Sequence, residues 1–390
     1  MTDVMVVAGA RTAIGDYGGA FKDVPPTKLG AIAIREALAR AKAEPASVGH
    51  VVMGSVIHGE ARDMYLSRVA AVDAGIPVGT PALTVNRLCG SGLQAIVSAA
   101  QHIMLGDCHI AVAGGAESMS RAAYMLPSGR WGQRMGDAPV IDAMTAALHD
   151  PFGHGHMGVT AENIAAKYGF TREQQDQFAV ESHRRATRAL EQGYFREQIV
   201  PVELKTKKGV EQFTTDEHVR RDAKMEDLAK LKAVFKKDGT VTAANASGIN
   251  DAAAAVVLVH AKAAKNYKPM ARLVAYAHAG VDPQLMGLGP IPAVKRVFEK
   301  AGLKPADMDV IESNEAFAVQ AMAVTQDLGL DPAKVNPNGG AVALGHPIGA
   351  TGCILTVKAL YELQRTQKRY ALVTMCIGGG QGIAAIYERV

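Results

Sequence analysis

Aromatic side chains are scarce in this chain of 390 residues, at 5% with a single Trp, so stacking on nucleic-acid bases is excluded as a main activity. Charge of one sign is also lacking. The 42 Lys and Arg against 38 Asp and Glu leave a net +4, which is no electrostatic footprint for nucleic acid. No apolar run approaches the ~20 residues of a membrane span. The longest, Ala252 to Val259, reads as a buried strand or helix segment. The first residues carry neither a basic leader nor a cleavage site, so no signal peptide is expected and the cytoplasm is the expected location. Cysteines are four, Cys89, Cys108, Cys353 and Cys376. In a large, well-cored chain their glycine-rich or strand-like settings read as reduced thiols rather than disulfides. No Cys pair has zinc spacing, and His154 and His156 lack a nearby third ligand, so no metal site is expected. What is plentiful is glycine: 40 residues, clustered towards the C-terminus, where they suit close backbone approaches. With 48% hydrophobic and 21% charged residues, the profile is that of a soluble globular protein of two or three domains.

An internal resemblance recurs at a constant offset of 260 residues. Leu38 to Val52 matches Phe298 to Ile311 in pattern, with Ala41 on Ala301, Pro45 on Pro305, Ala46 on Ala306 and Val51 on Ile311. Each copy reads as an amphipathic helix, a Pro turn and a buried strand. Leu88 to Gly92 then falls on Ile348 to Gly352, and Ala111 to Ala113 on Ala371 to Val373. Two α/β halves with mostly parallel central sheets covered by helices are expected, separated by an insertion at about 119 to 249. The insertion holds a long helix signal from Thr171, a plausible N-cap, through Glu191. Its basic residues (Lys205, Lys207, Lys208, Arg220, Arg221, Lys224, Lys230, Lys232, Lys236 and Lys237) suit either a solvated face or a phosphate-bearing ligand.

Cys89, in NRLCGSGLQA, ends a strand-like run at a Gly-flanked turn before a helix. A sulfur at a helix N-terminus has its thiolate favoured by the macrodipole, and is a candidate nucleophile. Gly90, Gly92 and Ala95 also spell a variant dinucleotide fingerprint, but the acidic ribose partner is missing from its place. His346 lies between Gly345 and Pro347 in a loop leading into a helix, which the repeat sets opposite the Cys89 loop as a base for its thiol. Cys376 follows the strand-like ALVTM and precedes three glycines, offering a second acid/base and exposed N–H donors for an oxyanion. Asn314 closes another strand, where it could orient a water or donate directly. All four loops fall at the C-terminal ends of strands, where ligands bind in such sheets.

The strings NRLCGSGLQA, NEAFA, GHPIGATG and CIGGGQG, in this order and spacing, resemble the thiolase family. With HMGVTAEN and NASGINDAAAA the resemblance spans the whole chain and is especially close to the bacterial biosynthetic β-ketothiolases. It implies an α/β thiolase fold, with duplicated halves in five α-β-α-β-α layers and a large inserted loop domain. The N-terminal half would be 1–118 plus about 250–268, the loop domain 119–249 for coenzyme A binding and oligomer contacts, and the C-terminal half 269–390. It implies reversible Claisen condensation of two acyl-CoA to a short-chain 3-ketoacyl-CoA plus CoA through an acyl-cysteine. Cys89 would be the nucleophile and His346 its base. His346 with a water on Asn314 would form one oxyanion hole, and the N–H groups of Cys89 and Gly378 the other. Cys376 would take the α-proton. His156, Met157, Arg220, Leu231, Phe235, Ala243 and Ser247 match positions lining the coenzyme A channel, and Met286 and Phe317 pack near the pantetheine or acyl end. Asp227 stands where some relatives have Ser. The resemblance implies no cofactor beyond the coenzyme A thioester substrates, no nucleic-acid or membrane partner, and a homotetramer or homodimer. A decarboxylating condensing enzyme would lack the Cys376 thiol, and a binding module that had lost its chemistry would show an eroded catalytic residue.

Overall fold

A computed structural model describes residues 3–206 and 209–390. Lys207 and Lys208, part of the basic bias noted above, lie outside the described residues. The N-terminal half contributes β1 (Val4–Arg11), α1 (Pro26–Ala41), β2 (His50–Gly54), α2 (Leu66–Asp73), β3 (Ala82–Val85), α3 (Ser91–Leu105) and β4 (Ile110–Ser118). The insertion carries α4 (Met157–Tyr168) and α5 (Arg172–Glu191). Beyond it come β5 (Asn250–His260), β6 (Ala271–Gly280), α6 (Pro290–Ala301), β7 (Val310–Ser313), α7 (Ala318–Asp327), α8 (Ile348–Thr366), β8 (Tyr370–Ile377) and β9 (Gln381–Arg389). Among the described residues these strands form one mixed sheet in the order β7-β8-β9-β6-β1-β5-β4-β2-β3. Its two wings meet only through Met5↔Arg272 and Val6↔Ala271.

The expected parallel character holds for β2 with β3 and β4, and for β7 with β8. Every other pairing among these strands is antiparallel. The near-continuous apolar runs suggested parallel strands because both faces are buried, and burial on both faces does not require parallel neighbours. In β5, Ala252, Ala254, Val256 and Leu258 point into the central core, while Ala253, Ala255, Val257 and Val259 point into the outer core beneath α1. In β8, Ala371, Val373, Met375 and Ile377 face the centre, and Leu372 and Cys376 face the outer C-terminal core. Alternation with both faces dry produces the layers: α1 and α2 outside, one wing, α3 and α8 in the middle, the other wing, α6 and α7 outside.

α3 and α8 cross at glycines related by the 260 offset. A Cβ on Gly92 would lie 2.8 Å from the Cys353 nitrogen, and one on Gly352 would fall on the backbone of Leu93. Only glycine lets the two helix starts approach this closely. The segment Leu88–Leu105 is by length and mean hydropathy apolar enough to cross a membrane, which corrects the reading that no stretch was. Its apolar side is packed in the central core against α8.

The insertion is pinned to β1 by Arg11, fully buried, whose guanidinium donates to both Asp216 oxygens at 2.7 and 2.9 Å and to Gln198 Oε1 at 3.1 Å. α5 starts at Thr171, which accepts from the Gln174 N–H while Gln174 accepts from the Thr171 N–H, a reciprocal cap worth about 1 kcal/mol.

Candidate active site

The sharp turn before α3 is built by its own side chains. Ser91 Oγ accepts from the Arg87 N–H at 2.8 Å and donates to the Leu88 carbonyl at 2.7 Å. Leu88 is held at φ +43°, a left-handed backbone that a branched residue adopts at a cost. Cys89 is thereby thrust towards the C-terminal half. A Cβ on Gly90 would lie 2.6 Å from Ile377 Cδ1, and one on Gly378 would lie 3.2 Å from Leu88 Cδ1. The Gly378 N–H is directed at the Cys89 sulfur, and the Cys376 thiol is close enough to feel Cys89 electrostatically. The two thiols thus lie near each other.

Cys89 does not behave as its helix position suggested. Burial pushes its pKa up to about 11, and the Glu117 carboxylate adds to the rise, against the smaller opposing effect of the Gly378 and Cys89 N–H groups. Desolvation outweighs the helix terminus, which leaves Cys89 a neutral thiol. Cys376 is fully buried, and burial followed by the neighbouring Cys89 raises its pKa as well.

His346 is held at two points. Its N–H donates to Asn250 Oδ1 at 2.9 Å, and Nδ1 lies 2.7 Å from Thr351 Oγ1. The Thr351 hydroxyl spends its proton on the Pro347 carbonyl at 2.9 Å, so it accepts from Nδ1–H and leaves Nε2 as the basic nitrogen. That Nε2 is buried without a partner among the described residues. Burial lowers the His346 pKa to about 4, which keeps the ring neutral and ready to accept a proton.

Asn314 follows β7 on a rigid frame. Its N–H donates to the Thr374 carbonyl at 3.0 Å. Beside it Glu315 accepts from Ser182 Oγ, Asn336 Nδ2 and the Val342 N–H. Yet the Asn314 amide, fully buried, has neither its oxygen nor its nitrogen paired among the described residues. An unpaired buried amide is costly unless water or a ligand meets it, which marks Asn314 as facing a site.

The substrate-channel candidates separate into two groups. His156 caps α4 by accepting the Gly158 N–H at Nδ1 and stacks on Phe235 at 4.6 Å, and Phe235 meets Phe317 edge-on at 6.3 Å. Met157, Met286 and Phe317 share the outer C-terminal core, and Met157 Sδ would lie 3.5 Å from a Cβ on Gly378, which ties this group to the thiols. The Ser247 N–H donates to the Ala316 carbonyl at 3.0 Å, beside Phe317. Arg220 and Ala243 instead line a recess of about 200 Å³ with His183, His218, Lys224 and Asp227. Leu231 is 39% exposed and donates its N–H to the carbonyl of Leu228, which also lines that recess. Burial lowers the His183 pKa to about 4, helped by His218 and Arg220.

Three residues escaped the sequence reading. Asn250 fills the space a Cβ on Gly345 would need and reaches Gly15 and Asp16, which in turn bonds His218 of the recess at 2.6 Å. Thr351 lies one helical turn beyond His346. Glu117, a lone acid in the wholly buried β4, was the visible signal. A cavity of about 990 Å³ between α5 and α7 reaches Glu315 but none of Cys89, Asn314, His346 or Cys376. Among the described residues no group of three His, Cys, Asp or Glu has metal-holding geometry, and all four cysteines are free. Two thiols, a neutral imidazole with one free nitrogen, an unpaired amide and directed N–H groups suit covalent acyl transfer.

Comparison with known proteins agrees. Residues 4–262 match the family model for the thiolase N-terminal domain, and residues 267–389 that for the thiolase C-terminal domain. The β-ketothiolase BktB of Cupriavidus necator is 65% identical over 100% of this chain and 99% of its own length. An acetyl-CoA acetyltransferase of the same organism is 50% identical over the full length of both. The crystal structure of human mitochondrial 3-ketoacyl-CoA thiolase in complex with CoA superimposes with a TM-score of 0.97 at 44% identity, covering 100% of this chain and 98% of the other.

Proposed function

The chain belongs to the thiolase family and is an acyl-CoA C-acyltransferase, and we propose that it joins two acyl-CoA into a short-chain 3-ketoacyl-CoA with Cys89, His346, Cys376, Asn314 and Gly378 as its machinery. Cys89 attacks the thioester carbonyl of the first acyl-CoA while His346 Nε2 takes the thiol proton. The N–H groups of Cys89 and Gly378 receive the oxyanion. Cys376 protonates the departing CoA sulfur and is left as a thiolate. That thiolate takes the α-proton of the second acyl-CoA, whose enolate oxygen is met by protonated His346 and a water on Asn314. The carbanion attacks the acyl-cysteine, the new carbon–carbon bond forms, and the Cys89 sulfur leaves and recovers its proton from His346. Both thiols end as they began, and the products are 3-ketoacyl-CoA and CoA. The reaction needs no cofactor beyond its coenzyme A substrates.

The raised thiol pKa values support this cycle. A thiol near 11 and an imidazole near 4 do not exchange a proton at rest, so in this reading proton transfer accompanies acyl attack rather than preceding it. Cys376, raised further by burial, is a strong base once ionised. The single observation that carries the reading is the Gly378 N–H at the Cys89 sulfur with Cys376 alongside. His156, Met157, Phe235, Met286, Ser247 and Phe317 would line the pantetheine and acyl path. Arg220, Leu231 and Ala243, in the inserted loop domain 119–249, would receive the nucleotide part, with Arg220 and Lys224 as the cations of the recess available to phosphates. Residues 1–118 with about 250–268 and residues 269–390 would form the two halves.

The reading extends to a cytoplasmic homotetramer or homodimer. The edge strand β3, with Leu83 exposed, and the exposed Tyr124, Leu126, Trp131 and Met135 of the insertion offer surfaces for pairing. Thiolysis of 3-ketoacyl-CoAs of increasing length tests the activity. Turnover should peak at short chains, and a flat lack of turnover at every length would remove the reading.

A further inference from the structure

The two wings repeat in register, not only in outline. His50↔Ala111 and Met53↔Gly114 in the β2–β4 ladder become Val310↔Ala371 and Ser313↔Thr374 in the β7–β8 ladder, every partner shifted by 260. Under this correspondence Cys89 answers to Gly349, His346 to Asn86, Asn314 to Gly54, Cys376 to Ala116 and Gly378 to Ser118. A sister pocket of the same backbone therefore lies across the pseudo-twofold axis, without the reactive groups.

That sister pocket has an occupant. Glu117 Oε2 accepts from the N–H groups of Gly349 at 2.9 Å and Val56 at 3.0 Å, and Oε1 accepts from the Ile57 N–H at 3.1 Å. The Gly349 N–H is the counterpart of the Cys89 N–H assigned to the oxyanion. A Cβ on Gly349 would meet Glu117 Oε2 at 2.5 Å, so the carboxylate sits where a counterpart of the Cys89 side chain would project. Glu117 is fully buried, and no salt bridge among the described residues includes it. Its partners are N–H groups, and burial pushes its pKa up to about 8.

We propose that Glu117 is a positioning residue for the acyl-transfer site: its carboxyl group fills the N–H cradle of the sister pocket and thereby fixes the first turn of α8, from which Thr351 aims His346. Gly349 lies three residues after His346 and two before Thr351. The N–H groups of a first helical turn have no intrahelical partner. With Glu117 removed, three buried donors lose their acceptor, and the turn must shift to find another. The His346–Thr351 bond then shifts with it, while the acyl-CoA channel, built on α4 and the insertion, is untouched.

The inference rests on the acyl-transfer reading, so the test carries its own control. Wild-type thiolysis with an inactive Cys89→Ala variant establishes that reading first, and an inactive wild type would sink it whatever Glu117 does. With the control in place, Glu117→Gln, which keeps the volume but turns an amide NH2 on the N–H cradle, should lower kcat by roughly 10²-fold with KM nearly unchanged, the mark of misplaced groups rather than lost binding. Formate should restore part of the turnover of Glu117→Ala by occupying the cradle, and none to Glu117→Gln, whose side chain still blocks it. Combined with Thr351→Val, Glu117→Gln should cost little beyond the larger single loss, because both act through one turn. Wild-type kcat in Glu117→Gln, or losses that multiply in the double variant, would overturn the proposal. So would a folded Glu117→Ala indifferent to formate; should Glu117→Ala fail to fold, the isosteric variant and the double variant decide alone.

Discussion

The N-terminal wing presents Gly54, Asn86 and Ala116 at its strand and loop ends, where the C-terminal wing presents Asn314, His346 and Cys376. The proposed nucleophile goes the other way, Cys89 in the first wing against Gly349 in the second. One backbone plan used twice carries different side chains at equivalent ends, with Glu117 in the first wing accepting from Gly349, Val56 and Ile57. The wings differ inside as well. Lys358 of α8 and Glu312 of β7 form a buried ion pair at 2.7 Å, with Lys358 also donating to the Gly339 carbonyl at 2.7 Å, where the first wing has Ser98 and Val52. Duplication thus preserves strand register and helix packing, which need only apolar patterning. It leaves polar groups free to diverge wherever a partner or a ligand can satisfy them.

Exchanging each residue for its counterpart breaks the comparison most directly. Cys89→Gly should lower thiolysis by on the order of 10⁴-fold or more, since no other sulfur can form the acyl-enzyme. Coenzyme A binding measured by calorimetry should survive. Cys376→Ala should cost roughly 10²–10⁴-fold as the loss of an acid/base, and trapping with labelled acyl-CoA should still show acylated Cys89. Acylation should be slowed as well, since Cys376 also protonates the departing CoA, and unchanged condensation would remove its role. Glu312→Val leaves Lys358 buried and unpaired, and should destabilise the fold by about 3–5 kcal/mol in denaturant titrations. Adding Lys358→Ser should recover much of that loss, as the other wing manages without the pair. Asn314→Ala should lower kcat by roughly 10²-fold if it holds an oxyanion water, and relieve the cost of its unpaired amide.

The gentlest probe is pH. The folded His346 pKa, about 4, lies below its ordinary 6.5, so between these values the unfolded chain binds a proton that the folded chain does not. This contribution is full above pH 6.5 and is lost as pH falls. It should amount to on the order of 3 kcal/mol by pH 4. His346→Asn, carrying the counterpart residue, should flatten that slope. An acid limb of kcat/KM breaking near pH 6.5 would show that the imidazole is more open to water than its burial indicates.

Much of this was legible beforehand. The 260 offset predicted equivalent helices and strands, and the observed ladders keep it. The helix after Thr171 and the thiolase strings were read from capping chemistry and glycine placement. Sheet polarity was not legible, because a run such as Ala252 to Val259 looks the same whether its neighbours run with it or against it. The Cys89 pKa was misread in direction. A helix terminus is visible in sequence, whereas the desolvation that opposes it at the half-buried Cys89 arises only where segments from different wings close in, as Ile377 does on Gly90 and Leu88 on Gly378. Glu117 drew no notice because its three partners, Val56, Ile57 and Gly349, lie far from it along the chain.

Sequence alone determined the 260-residue offset that the strand ladders keep and the residue types offered as reactive groups, because periodicity, caps and residue chemistry are local properties. Only the tertiary structure decided which nitrogen of His346 is free and that burial raises the thiols' pKa values. Those depend on desolvation and hydrogen bonds between segments hundreds of residues apart, and they exist only once α3 and α8 have met at Gly92 and Gly352.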